Sequence, residues 1–230
     1  MRDKTTSERD VIRTLRSGMV IGIGGRGSHT KSNPLLRALL RSDLDDLTIV
    51  TDGGPDVARL CTSGKVREIV LGSESLETGM RHAQFRAALR SGDTRVRVYG
   101  EGLLEWGLYA AGIRLPYLPV RRSVLPDAGC ADSGLRTVAD PYGDAELAAM
   151  PAIALDAALM QAIRADIHGN GHAVGTNTRF DHLLCHAADR VYVSCEVIAP
   201  TGEIVGGRHR TRARIPHVLV TGVVPALGGR

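Results

Sequence analysis

The chain of 230 residues is 43% hydrophobic and 23% charged, a composition that supports one sizeable globular core. Aromatic residues make up only 3%, so Ala, Leu, Val and Ile must build that core. A net charge of +4 without stacking rings among the basic residues argues against a nucleic-acid surface.

Four cysteines with no CxxC pair exclude a disulfide framework. No apolar run follows the charged start as a signal peptide would, and none reaches membrane-spanning length, so a cytoplasmic protein with no membrane partner is expected.

In chain order, Thr5 to Ser17 has Val11, Ile12 and Leu15 at helical spacing and leads into an apolar run, Gly18 to Ile23. That run ends in Gly24, Gly25, Gly27 and Ser28, a backbone-rich turn that either exposes N–H groups to a ligand or simply turns the chain. Its spacing is neither a dinucleotide fingerprint nor a P-loop. Pro34 to Arg41 reads as a helix with Pro in its first turn, and Leu47 to Thr51 as a strand. A short helix over 56–61, a strand over 66–71 and a helix over 80–90 follow.

Thr94 to Tyr99 alternates strictly, predicting a strand with one exposed face, and Gly100-Glu101-Gly102 joins it to a helix over 103–113. From Pro116 to Asp144 the chain is rich in Pro, Gly and Asp and reads as a long excursion with one strand at 135–138. Residues 152–164 fit a helix or a buried strand equally. A turn at Asp166 to Gly171, a helix at 180–188 and strands at 190–198 and 217–224 complete the chain. Alternating strands and helices imply an α/β fold: an open, mainly parallel sheet with helices on both faces, in a single domain over 1–230.

Together these motifs resemble the alpha subunit of family I CoA transferases. The resemblance rests on Gly24-Gly25-Arg26-Gly27, Leu47-Thr48-Ile49-Val50 with Gly53-Gly54-Pro55, Gly100-Glu101-Gly102-Leu103, Leu115-Pro116-Tyr117-Leu118-Pro119, Ala165 to Asn170, and Ala188-Asp189-Arg190 with Glu196. Arg41-Ser42-Asp43-Leu44 and Ala149-Met150-Pro151-Ala152 are most similar to the branch that opens the last steroid ring in actinobacterial cholesterol catabolism. The resemblance implies an acyl-CoA substrate, coenzyme A entering only as part of it, and no other cofactor. It implies a beta-subunit partner, commonly in an α2β2 assembly. Hydrolytic C–C ring opening of a cyclic β-ketoacyl-CoA is the implied reaction. Alternatives are CoA transfer between carboxylic acids through a beta-subunit glutamate, and an acyl-CoA-binding subunit without turnover.

In that branch the glutamate of the Glu-Gly-Leu motif acts as a base, which assigns Glu101 that role; the residues alone fit a first-turn helix glutamate as well. Gly24, Gly25, Gly27 and Ser28 would offer N–H donors to the thioester oxygen or to a substrate carboxylate. Arg121 would grip a carboxylate or merely carry surface charge, and Asn170 would border the site or only frame its turn. His182, Cys185 and His186 lack the Glu of a zincin helix, so no metal is expected. Three departures stand out: Arg122-Ser123 in place of a glycine-rich turn, Arg26 in place of an aromatic residue, and an end at Arg230 short of the family's C-terminal segment.

Overall fold

The computed structural model describes residues 1–24, 33–52, 59–72, 86–87, 90, 92, 94–122, 134–173, 178–206 and 214–226. Among them the strands of the main sheet are β1 (Val20–Ile23), β2 (Leu47–Thr51), β3 (Val66–Gly72), β4 (Arg95–Tyr99), β8 (Ala157–Ala165), β9 (Gly171–Ala173), β10 (Val191–Ile198), β11 (Arg214–Ile215) and β12 (Gly222–Pro225). A second sheet holds β5 (Tyr117–Arg121), β6 (Arg136–Ala139) and β7 (Glu146–Pro151). The helices are α1 (Glu8–Thr14), α2 (Pro34–Arg41), α3 (Glu101–Gly112), α4 (Thr178–Ala187) and α5 (Thr201–Gly206).

Seven strands of the main sheet run parallel, in the order β12-β10-β8-β1-β2-β3-β4. Along one edge of β8, residues 157–159 pair with β1 and residues 162–165 with antiparallel β9. The second half of β8 therefore runs on past the end of β1 as a hairpin.

Both faces of the sheet are covered, so side chains alternate between two cores rather than between core and water. Ile21, Ile23, Ile49, Ile69 and Leu159 pack with Val11 of α1 and Leu35 and Leu39 of α2. Val50, Val70, Ala158 and Met160 pack on the other face with Leu104 and Leu108 of α3 and Phe180 and Leu184 of α4. Edge strand β4 is half-wet, and its exposed Arg97 pairs with Glu68 at 2.9 Å. A charged edge of this kind resists pairing with another chain.

Local chemistry explains the boundaries. Asn33 caps α2 by accepting from Leu35 N at 2.9 Å, and Pro34 takes the first helical position, where no N–H is needed. Ser7 caps α1 from Asp10 N in the same way.

The region 116–144 corrects the sequence expectation of a long irregular excursion: β5 and β6 flank β7 in an antiparallel sheet lying on α3. Pro119 hid β5, yet β5 is an edge strand, where a missing donor is tolerated. Residues 157–165 resolve as strand because β1 and β10 pair on either side. The last strand is confined to 222–225, since 217–219 form a turn. The basic run 208–213 and most of the helices expected at 56–61 and 80–90 lie outside the described residues.

Helix α4 can reach β1 only because Gly22 has no side chain. A Cβ there would lie 2.6 Å from Leu155 Cδ1 and 3.0 Å from Leu184 Cδ2. Gly22→Ala is expected to cost about 1–3 kcal/mol through overpacking, measured by urea denaturation; an unchanged midpoint would contradict the contact.

Candidate active site

Ligands of open α/β sheets bind outside the carboxyl ends of the strands, where the strand order switches direction. Here the switch falls between β1, which is followed by β2 on one side, and β8 on the other. Gly24 ends β1, Asp52 ends β2 and is 1% exposed, and Gly100-Glu101 ends β4. All three stand on one rim of the sheet.

Gly24 is packed closely from the α4 side. A Cβ would lie 2.4 Å from Met160 Cε and 2.6 Å from Asp181 Oδ1. Its own N–H donates to Leu159 O at 3.2 Å, so Gly24 allows the close approach of Met160 and Asp181 and offers no free donor. Any donors of the turn are therefore left to Gly25, Gly27 and Ser28, which lie outside the described residues. Asn33 fastens the far end of the turn, accepting from Ser194 Oγ of β10 at 3.1 Å.

Glu101 is the first residue of α3, with Gly100 as its N-cap and Leu104 N donating to Gly100 O at 3.0 Å. Strand order separates β4 from β1 by three spacings, about 14 Å. Helices α3 and α4 narrow that gap. They run parallel and are joined by the ion pair of Arg179 with Glu105, one helical turn beyond position 101. Asp181, buried in the first turn of α4, lies between this pair and Gly24. The rim thus carries a glycine-lined floor at β1, a helix start bearing Glu101 opposite, and two helix N-termini whose partial positive charge favours anions.

Arg121 is exposed at the end of β5 and shares a concavity of about 330 Å³ with Trp106 and Tyr109 of α3. A larger one, about 900 Å³, lies on the α1–α2 face of the sheet, beside β12.

Asn170 stands elsewhere, in the turn joining β8 to β9, about 20 Å along β8 from the level of Gly24. Its amide is engaged within the fold: Nδ2 donates to Asp166 Oδ2 at 2.7 Å, and Oδ1 accepts from His217 N at 3.3 Å. Asp166, 1% exposed, also accepts from His168 N and Asn170 N, each at 2.9 Å. Burial opposes its charge, but the hydrogen bonds from Asn170, then from Thr201 and His168, outweigh it and hold the carboxyl below its usual range. Gly169 makes the turn possible at φ +102°, with Val220 too close for a side chain.

Asp52, Asp181 and the Arg179–Glu105 pair were not singled out from the sequence. An acidic residue in the first turn of a predicted helix was the available sign for Asp181. Glu196 is exposed on β10, and His172 is buried with Nε2 on Ile204 O at 3.0 Å. Cys61 and Cys195 are buried with thiols pushed up to about 11, and Cys185 is pushed up further by burial. Cys130 lies outside the described residues. No helix among them is long and apolar enough to cross a membrane.

A family model described as coenzyme A transferase matches residues 5–226. The chain belongs to the coenzyme A transferase family. It is 43% identical, over 99% of its length and 79% of the relative's, to a protein of Rhodococcus jostii named cholesterol ring-cleaving hydrolase IpdA subunit. The Mycobacterium tuberculosis protein of that name is 41% identical over 100% of this chain and 81% of its own. Among solved structures, glutaconate coenzyme A-transferase from Acidaminococcus fermentans superposes with a TM-score of 0.75 at 23% identity, covering 97% of this chain and 75% of that one. The likeness extends the fold, an open α/β sheet, to the CoA-transferase subunits.

Asp166→Ala is expected to destabilise the protein by about 2–4 kcal/mol, because it strands several buried donors. The depressed carboxyl contributes its stability above the ordinary value of 3.8, and that contribution is lost as pH falls through its lower folded value. Acid titrations of the two proteins, followed by circular dichroism, should converge at low pH; parallel curves would contradict this.

Proposed function

We propose that this chain is the alpha subunit of a heteromeric hydrolase that opens the ring of a cyclic β-ketoacyl-CoA, with a CoA-transferase beta-type subunit completing the site. The observation that carries the proposal is the shared rim of Gly24 and Glu101, closed on one side by α3 and α4. Identity above 40% to two ring-cleaving subunits supports the substrate class.

Glu101 is assigned as the base. In this role its carboxylate accepts a proton from water. The hydroxide so formed attacks the ring ketone, and the bond between that carbon and the carbon beside the thioester breaks. Its electron pair passes to the thioester oxygen, a charge assigned to the amides of Gly25, Gly27 and Ser28. Glu101 returns its proton to the carbon, leaving one new carboxylate and an intact thioester. Arg121 steadies a substrate carboxylate from the α3 side. The β8–β9 hairpin, framed by Asn170, forms the wall along which the CoA arm extends. A partner subunit accords with relatives named as subunits of CoA transferases, and the reading takes the assembly as α2β2 and cytoplasmic.

Glu101→Gln in the assembled enzyme should lower the hydrolysis rate by about 10²–10⁴-fold with an unchanged melting temperature. Wild-type enzyme in 18O-water should place one label in the new carboxylate. A full rate in the variant, or a glutamyl-CoA trapped on the beta subunit by borohydride, would overturn the assignment.

A further inference from the structure

Away from the candidate active site, the outer side of α4 carries two exposed histidines one turn apart. His182 Nε2 and His186 Nε2 stand 3.0 Å apart, with ring centroids 4.5 Å apart and planes inclined at 60°. Two imidazole nitrogens on one metal ion, with bonds of about 2.0–2.1 Å meeting between a right angle and a tetrahedral one, are separated by about 2.9–3.4 Å. The two nitrogens share a hydrogen bond, and an ion that displaces its proton finds both donors at chelating separation.

Their surroundings favour a cation. Parallel α3 and α4 are joined near their starts by Arg179 and Glu105, and they meet again near their ends, where a Cβ on Gly112 would lie 3.0 Å from His186 Cβ. The backbone of α3 therefore buttresses His186, and two helix C-termini, each with partial negative charge, converge there. Arg114 and Asp189, just beyond the helix ends, pair at 3.4 Å and leave little net charge.

We propose that His182 and His186 form a bidentate site for a borderline divalent cation (zinc, nickel or copper(II)), with water in the remaining positions. Imidazole donors suit these ions. Among the described residues no third His, Cys, Asp or Glu joins the pair, so the ion exchanges freely and clips two turns of α4 together. From the first residue of α4 to His186 the helix rises about 12 Å. The site is thus separate from the rim at Gly24 and independent of the proposed reaction.

The test is calorimetric titration of the full chain, with its partner subunit where it requires one, using nickel and zinc at neutral pH. Copper(II) paramagnetic resonance accompanies it. One site per chain is expected, with two equatorial imidazole nitrogens on copper. His182→Gln and His186→Gln should each weaken binding about 100-fold, the advantage of two tethered donors over one. Both positions are exposed, so metal-free melting should match wild type and exclude misfolding as the cause. No site in the wild type, a loss below about threefold in either variant, or full binding in the double variant would overturn the proposal; the last would place the ion on the chain's other six histidines.

Discussion

Two positions, Gly22 within β1 and Gly24 just after it, can hold no side chain, and the arrangement of the rim follows from that. Leu184 and Leu155 fill the space a Cβ at Gly22 would need, and Met160 and Asp181 fill the space at Gly24. Helix α4 therefore lies directly against the central strand. Phe180 and Leu184, both fully buried on α4, contribute about 1.5–3 kcal/mol each, and the close contact makes that burial possible.

With α4 fixed, α3 is fixed beside it. Their parallel packing, clasped by Arg179 and Glu105, sets two helix starts side by side across the three strand spacings from β1 to β4. That ion pair is largely exposed on the arginine side and supplies at most about 1 kcal/mol. Its effect is chiefly to set which turns of the two helices face each other. Glu101 at the start of α3 and Gly24 at the end of β1 then stand on one rim, which is the arrangement the proposed reaction uses. On the far side, the extra length of β8, closed by Asp166 and Asn170, raises a wall above the rim.

Features encoded by neighbouring residues were legible from the sequence. Asn33-Pro34 announces α2 to the residue, and the alternation of 94–99 announces a strand with one exposed face. Gly100-Glu101-Gly102 marks a strand end whatever surrounds it. What could not be read depends on distant partners. The apolar run 152–164 has no period that distinguishes helix from strand, and pairing with β1 and β10 decides it. In β7, Ala148 and Ala149 carry little strand preference of their own, and β5 contains Pro119; each becomes a strand by pairing with the other. Asp181 against Gly24, and Arg179 with Glu105, join residues more than seventy positions apart, so no local pattern reveals them. Asn170 shows the opposite case: a residue flagged for substrate whose amide is engaged in framing a turn.

The most direct measurement is a crystal structure of the assembled heteromer holding a non-hydrolysable analogue of a cyclic β-ketoacyl-CoA. The thioester oxygen should rest on the turn after Gly24, with the ring ketone facing the start of α3. An acyl group seated on the α1–α2 face, or a thioester farther from position 101 than one water can bridge, would contradict the account.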